Sequence, residues 1–561
     1  MSDLEAGLRH YAEAQLQRVL TQMDRDPDSP TFGCFDRDHW HYKIRDFASA
    51  ILQQSIHTLE AVRTGVLGRG LLRQAGLEEE ETDPDGRVME SWSVAAVNAL
   101  GRLVDGRGRV NEYYPYEGSF PAAAFGLYAV GRVLFDWQKN APHLLEKVNP
   151  EPLRRLARHL AGRCETQAWN QQAAGLAGLA LARQVEILRP AVSEQAVDAI
   201  AARFFAAQHD EGWFPEYGGP DFGYLSVTLD ALADYFDATG DPRARQATER
   251  AVGFLVRVTG ADGHLPSALN SRNTDYVVPY GLARAAEYLP EASWLLENLF
   301  GGAGDPGHFL WATDDRYHCH YIYASVVRVL PWLGRRTKAR APARVISTDW
   351  LPGCGFWIRH MGTPDKPEAV IRTLYVAACK GGIVRLHDSR RPPLAEYGLR
   401  VLDPGTGKLW TTNWWDPSNT WEIDREGDRV RVAGSLRAAS PRVSTPAVHV
   451  GLRLAAFLFR ERLIPWLKAA LIFRDNRRRS AGECRFERTV TVHPDGKVTV
   501  DTEVVFPGID VRVTPGPRQH LRHVASAESF HPEDLQPVAN TPGEKVELTG
   551  KGRWRNSRTI G

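Results

Sequence analysis

The residues with chemistry to offer sit in short aromatic loops, each just ahead of a helix-forming run. ETQAWNQQAAG (165–175) carries Asn170, Gln171 and Gln172 at a helix start. Side-chain amides there are uncharged donors suited to holding a carboxylate, because a helix N-terminus already offers partial positive charge. The competing reading makes them ordinary capping and surface amides. DEGWFPEYGGPDFGY (210–224) carries Trp213, Glu216, Tyr217, Asp221 and Tyr224. Its Gly218-Gly219-Pro220 run lets backbone approach a ligand, or makes a tight turn. A tyrosine acts as acid or base where its pKa is lowered or a proton passes directly; elsewhere it is structural. SRNTDY (271–276) adds Arg272, Asn273 and Tyr276, and RYHCHY (316–321) adds Arg316, His318 and His320, with His318 assigned to the candidate site. Upstream, FDRDHWHYKIRD (35–46) supplies His39, His41, Tyr42 and Arg45, and EYYPYEGS (112–119) supplies Tyr113, Tyr116 and Glu117.

Other chemistries lack their residues. His39/His41 and His318/His320 are spaced i, i+2, which points side chains apart on a helix, so no metal site is expected. There is no Walker loop, GxSxG, HExxH or Rossmann fingerprint, and neither a metal nor a cofactor is expected. The six cysteines are scattered without a CxxC pair, which argues against a zinc module or a disulfide scaffold. A net charge of +1 argues against nucleic-acid binding. The basic residues are 58 Arg and only 11 Lys. Arg grips carboxylate and sulfate bidentately, which suits an acidic ligand, although a GC-rich genome gives the same bias. Sixteen Trp are more than packing needs, and exposed Trp faces stack on sugar rings.

Helices must position these loops. Apolar residues recur at three and four spacing in nine stretches between Phe47 and Leu333. The glycine turns separating them repeat: Gly106 to Gly212 spans 106 residues, Gly212 to Gly263 spans 51 and Gly263 to Gly307 spans 44. A period near 50 fits one helical hairpin per repeat, which must stack or close to bury its apolar face. About six hairpins predict an (α/α)6 toroid, an incomplete barrel, over residues 1–335, with the aromatic loops gathered at one end. An open helical array is the alternative. A basic linker, 336–344, leads to alternating stretches that predict an antiparallel β-sandwich over 345–561. Its clearest hairpin, 484–506, turns at Pro494-Asp495-Gly496.

One segment breaks the β pattern. Residues 449–479 are strongly apolar yet rich in Arg, with Trp466 and Pro465 inside, as in a basic amphipathic helix pair lying in a membrane interface. The other reading is a helical insertion with solvated Arg heads. The first residues read as an amphipathic helix without an apolar signal region. A cytoplasmic protein, peripheral to the inner face of the membrane, is the expectation.

Amides at one inner helix, a Tyr-rich glycine loop on the next, and then a sandwich together resemble the heparinase II/III-like family of polysaccharide lyases, over roughly 30–520. DEGWFPEYGGPDFGY resembles the family's DG…E…Y loop, and HDSRRPPLAEYGLRVLDPGTG (387–407) resembles its His-Ala-Asp element and Asp-Pro-Gly-Thr turn. The resemblance implies Asn170 as the carboxylate-neutralising amide, Tyr224 as acid/base with Tyr217 its competitor, and His387 as a sandwich histidine reaching the cleft. The sequence departs from the family pattern with Asn-Gln-Gln for Asn-Asn-His and His-Asp-Ser for His-Ala-Asp. FGCFDRDHWHYKIRDFASAILQQ resembles a subset associated with bacterial surface-polysaccharide production.

The expected reaction is β-elimination at a uronate of an acidic poly- or oligosaccharide. C5 epimerisation of a polymer, glycoside hydrolysis by carboxylates such as Glu117, Glu216 or Asp221, and non-catalytic saccharide binding are the alternatives.

Overall fold

The computed structural model describes residues 3–74, 87–363, 366, 368–424, 426–439, 445–463, 466, 480–506, 511–516, 529–530, 535, 546–548 and 552–560. Helices fill the chain up to Arg335 and strands dominate from Ser347 onward. The architecture is an (α/α)6 toroid followed by an antiparallel β-sandwich.

The inner ring consists of Ile56–Arg63, Phe120–Asn140, Trp169–Gln184, Phe222–Thr239, Tyr280–Ala286 and Tyr323–Val329, each packed on the next and the last on the first. Outside it run Asp3–Leu20, Arg87–Leu103, Pro150–Ala161, Glu194–Ala206, Pro242–Val258 and Pro290–Phe300. Outer helices show polar outer faces, whereas inner ones are buried on almost every side. That demands small residues at the crossings: a Cβ on Gly178 would sit 2.9 Å from the Tyr128 backbone nitrogen. Helix starts are marked locally. Ser119 and Asp221 accept hydrogen bonds from the backbone N–H groups of Ala122 and Tyr224, and Pro121 occupies the first turn of its helix.

The sandwich stacks a five-stranded sheet, in chain order from Ser347–Leu351 to Arg391–Glu396, on a nine-stranded one. Alternating residues of both meet in one core, with Trp357, Leu374 and Val384 against Val401, Val432 and Phe486. The hairpin read around Pro494-Asp495-Gly496 pairs Ser480–Val492 with Val498–Val505, and Gly496 takes the left-handed conformation the turn requires. Of the basic insertion, Pro446–Phe459 is a helix; Pro465 and residues 467–479 lie outside the described residues. Among the described residues no helix is long and apolar enough to cross a membrane.

Candidate active site

The six inner helices all begin at the same end of the toroid, and a cavity of about 430 Å³ opens there. Every lining residue comes from the segments at those helix starts: 51–54, 112–125, 163–171, Tyr217 and Tyr224, Arg272, and 316–321. Arg163, Arg272 and Arg316 stand in the wall with six tyrosines. Arginines at converging helix N-termini favour an anionic ligand.

Three loops of this wall are laced together. The Tyr217 N–H donates to the Gln167 carbonyl at 2.6 Å, the Ser271 N–H to that of Pro220 at 2.9 Å, and the Ser271 hydroxyl to that of Glu216 at 2.7 Å. Helix Trp169–Gln184 has no cap of its own; the Glu216 carboxyl supplies one, accepting from the Asn170 N–H at 2.7 Å. Asp221 likewise accepts from the Tyr224 N–H at 3.0 Å and the Thr274 N–H at 3.3 Å. Tyr116, Tyr217 and Asn273 take left-handed backbone conformations, which non-glycine residues adopt at a cost. All three lie on loops around the cavity.

The sandwich buttresses this wall from behind, and none of its described residues lines the cavity. Trp415 donates from Nε1 to the Gly218 carbonyl at 3.3 Å, against a Gly219 that has no room for a Cβ. The buried Lys380 ammonium donates to the carbonyls of Ala268, at 2.6 Å, and Asn270, at 2.5 Å, and to the Asn273 side chain.

Burial sets the proton inventory. It pushes the Tyr224 phenol well above its ordinary pKa, with Arg272 opposing, so the hydroxyl holds its proton. Among the described residues that hydroxyl makes no hydrogen bond, and Tyr224 lines the cavity. Arg272 stacks 4.4 Å over the Tyr217 ring. Burial lowers His320 to about 3, keeping it neutral, with Nδ1 2.9 Å from the Ser55 hydroxyl. Burial and the adjacent Glu112 raise Glu117 to about 7, although one oxygen accepts from the Glu112 and Tyr113 N–H groups, both at 2.9 Å. Arg316 pairs with Glu112 at 3.0 Å. Among the described residues no three His, Cys, Asp or Glu side chains group as a metal ion would need.

Asn170, Gln171, Tyr217, Tyr224, Arg272 and Glu117 thus come together as cavity wall. Tyr113, Arg316 and His320 join them, and the other residues singled out in the sequence do not. Glu216 lies buried under the Asn170 turn, with its second oxygen unpartnered. Gln172 accepts from the Glu165 N–H at 2.7 Å and holds that loop, because consecutive helix positions diverge by about 100°. Asn273 is committed to Lys380, and Tyr276 is buried behind Tyr224 with ring centroids 6.5 Å apart. Trp213 stacks on His209 at 4.4 Å and donates to Glu211, away from the cavity. His41 is exposed beside Trp40 and Tyr42, and Tyr116 meets Phe457 outside the lining. His387, expected to reach the cleft, is buried in the toroid–sandwich seam. Its Nδ1 lies 2.8 Å from an Asp262 oxygen, and its ring packs on Tyr375.

His318 and His320 exchange places relative to expectation. His318 is core, its Nδ1 2.7 Å from the Tyr11 hydroxyl, and His320 lines the cavity. Their i, i+2 spacing already required them to diverge. A single π turn, His318–Ile322, then chooses which one turns inward. Tyr317, Tyr321, Arg163 and Glu112 also line the cavity without having been singled out; a count of polar residues ahead of each inner helix would have found them.

No family model matches the sequence, and no characterised protein matches it. Among solved structures it is similar to the Streptomyces coelicolor A3 chondroitin AC lyase in complex with chondroitin sulphate. The TM-score is 0.44 at 11% identity, covering 91% of this chain and 67% of that one. It is also similar to a heparan sulfate lyase mutant from Pedobacter heparinus, at TM-score 0.39 and 9% identity, covering 77% of this chain and 61% of that one. At such identities these are likenesses of chain path, and they assign no residue a role.

Proposed function

We propose that this protein is a polysaccharide lyase that cleaves an acidic poly- or oligosaccharide by β-elimination at a uronate. One observation carries the reading: an amide and a guanidinium suited to a carboxylate, Asn170 and Arg272, line one cavity with a protonated tyrosine, Tyr224, and a neutral imidazole, His320. Neutralising the uronate carboxylate lowers the pKa of the C5 proton. A cavity base then takes that proton as the C4–O bond breaks, and a phenol hydroxyl returns one to the leaving oxygen. Each positioned acid or base supplies about 10²–10⁴-fold, and stabilising the enolate charge is commonly the larger share. His320 becomes a better base as an anionic substrate enters, since a nearby negative charge favours its protonated form. The sequence resemblance extends the proposal to bacterial surface polysaccharide as the substrate class.

Asn170→Ala and Tyr224→Phe should each lower formation of unsaturated uronate, read as new ultraviolet absorbance, by about 10²-fold or more. Full activity in both would sink the site assignment. Label entering C5 from deuterated water without chain cleavage would mean epimerisation instead.

Glycoside hydrolysis has a specific observation in its favour: Glu117 is raised to about 7 beside a second carboxyl, Glu112. It predicts new reducing ends without ultraviolet absorbance, and their loss in Glu117→Gln.

A further inference from the structure

Helix Pro446–Phe459 buries only Ala456. Leu454, Phe457 and Leu458, with three more large apolar residues of the same helix, are 52–70% exposed, an unusual density for a water-facing helix. Among the described residues its side-chain ties run to Asp46 and Tyr116. Arg453 pairs with Asp46 through two contacts of 3.1 Å, Phe457 meets the Tyr116 ring at 5.4 Å, and Arg460 stacks over the same ring at 5.9 Å. Those ties anchor the helix to two loops that themselves expose large apolar side chains, Tyr42 and Ile44 on one and Tyr116 on the other. The Tyr116 loop also contributes Glu112, Tyr113, Tyr114 and Glu117 to the cavity wall, so whatever covers the patch lies at the cavity mouth.

The charge pattern selects the occupant. Residues 445–479 hold eight Arg or Lys against Glu461 and Asp475, in a chain whose net charge is only +1. Exposed apolar side chains on the helix and at Trp466, in a stretch of sequence this basic, match an interface of acyl chains under anionic headgroups. We propose that helix Pro446–Phe459 and the Tyr42–Ile44 and Tyr116 loops seat on an anionic lipid bilayer, so that the cavity takes acidic saccharide carried on a lipid anchor. The membrane contact stands without the lyase reading; the nature of the anchored substrate rests on it.

The test is flotation of the full chain with phosphatidylglycerol-rich vesicles and with pure phosphatidylcholine vesicles. Wild type should float with the first and much less with the second. Leu454→Asp/Leu458→Asp should lower partition about tenfold or more, with an unchanged melting temperature because both side chains are exposed. Wild type left at the bottom with anionic vesicles, or a double variant that floats equally well, overturns the contact. So does a wild-type dimer that the variant converts to monomer, since a second copy would then be the occupant. A glucuronate-containing oligosaccharide, free or coupled to phosphatidylethanolamine in the same vesicles, tests the rest. The anchored form should turn over about tenfold faster per mole, with that advantage lost in the variant, whose rate on the free form is unchanged. Equal rates overturn the anchored-substrate claim, and no turnover of either form overturns the lyase reading while leaving the flotation result intact.

Discussion

Helix Phe222–Thr239 carries two buried polar sites that behave oppositely. Ten residues below Tyr224, Asp234 ties its helix to three other inner helices with every bonding direction used. It accepts from Tyr128 at 2.5 Å, Tyr280 at 2.8 Å and Arg132 at 3.1 Å, and it pairs with Arg328. Asp237 extends the network to Arg284 at 2.8 Å. Burial alone would raise the Asp234 carboxyl, but Arg328 and Arg132 hold it well below the usual range. At the top of the same helix, Tyr224 lines the cavity, and its hydroxyl makes no hydrogen bond among the described residues. The saturated site can do nothing but hold inner helices in place, since its ions already have their partners. The unsaturated one has bonding capacity left for a ligand. Both are buried, and both have displaced pKa values. Leftover capacity beside a cavity, rather than a shifted pKa, separates function from scaffold.

That contrast breaks most sharply on substitution. Tyr224→Phe should cost about 10²–10⁴-fold in turnover while moving stability by less than about 1 kcal/mol, measured by denaturant unfolding. Asp234→Asn should do the reverse. It leaves Arg328 and Arg132 facing an uncharged amide, which costs about 3–5 kcal/mol, with normal turnover per folded molecule. Stability loss from Tyr224→Phe as large as from Asp234→Asn would erase the distinction.

The seam histidine sharpens the comparison next. His387→Asn removes a buried partner of Asp262 and should destabilise by about 1–3 kcal/mol without lowering turnover of folded protein. Turnover lost at full folding would bring His387 into the chemistry.

The smallest effect is in pH dependence. Glu117 is raised to about 7 from an ordinary 4.5, so between those values the folded state binds more protons than the unfolded one. Its stabilising contribution is complete below about 4.5 and is lost as pH rises through about 7. Asp221, raised to about 6, and Asp230, raised to about 7, act in the same direction. Asp234 acts oppositely, its contribution fading as pH falls below the ordinary carboxylate range. Glu117→Gln should therefore flatten the fall in melting temperature from pH 5 to 7, without abolishing it. An unchanged profile would mean Glu117 is ionised throughout.

Periodicity and turn chemistry were enough to make the toroid and the sandwich legible, because a 3.6-residue period, a 50-residue repeat and Val/Thr alternation are local properties of the chain. The amides of 170–171, the tyrosines at 217 and 224, and Arg272 were legible for the same reason, each lying on a recurring loop ahead of a buried helix. Sequence by itself could not decide among near neighbours. Gln171 faces the cavity and Gln172 the loop behind it; His320 faces inward and His318 the core; His387 faces a seam instead of a cleft. Those choices turn on about 100° of helix rotation, one π turn, and the angle at which the sandwich docks. They are set by contacts between residues as distant in sequence as Tyr11 and His318 or Asp262 and His387, and only closure of the ring and docking of the sandwich bring such pairs together.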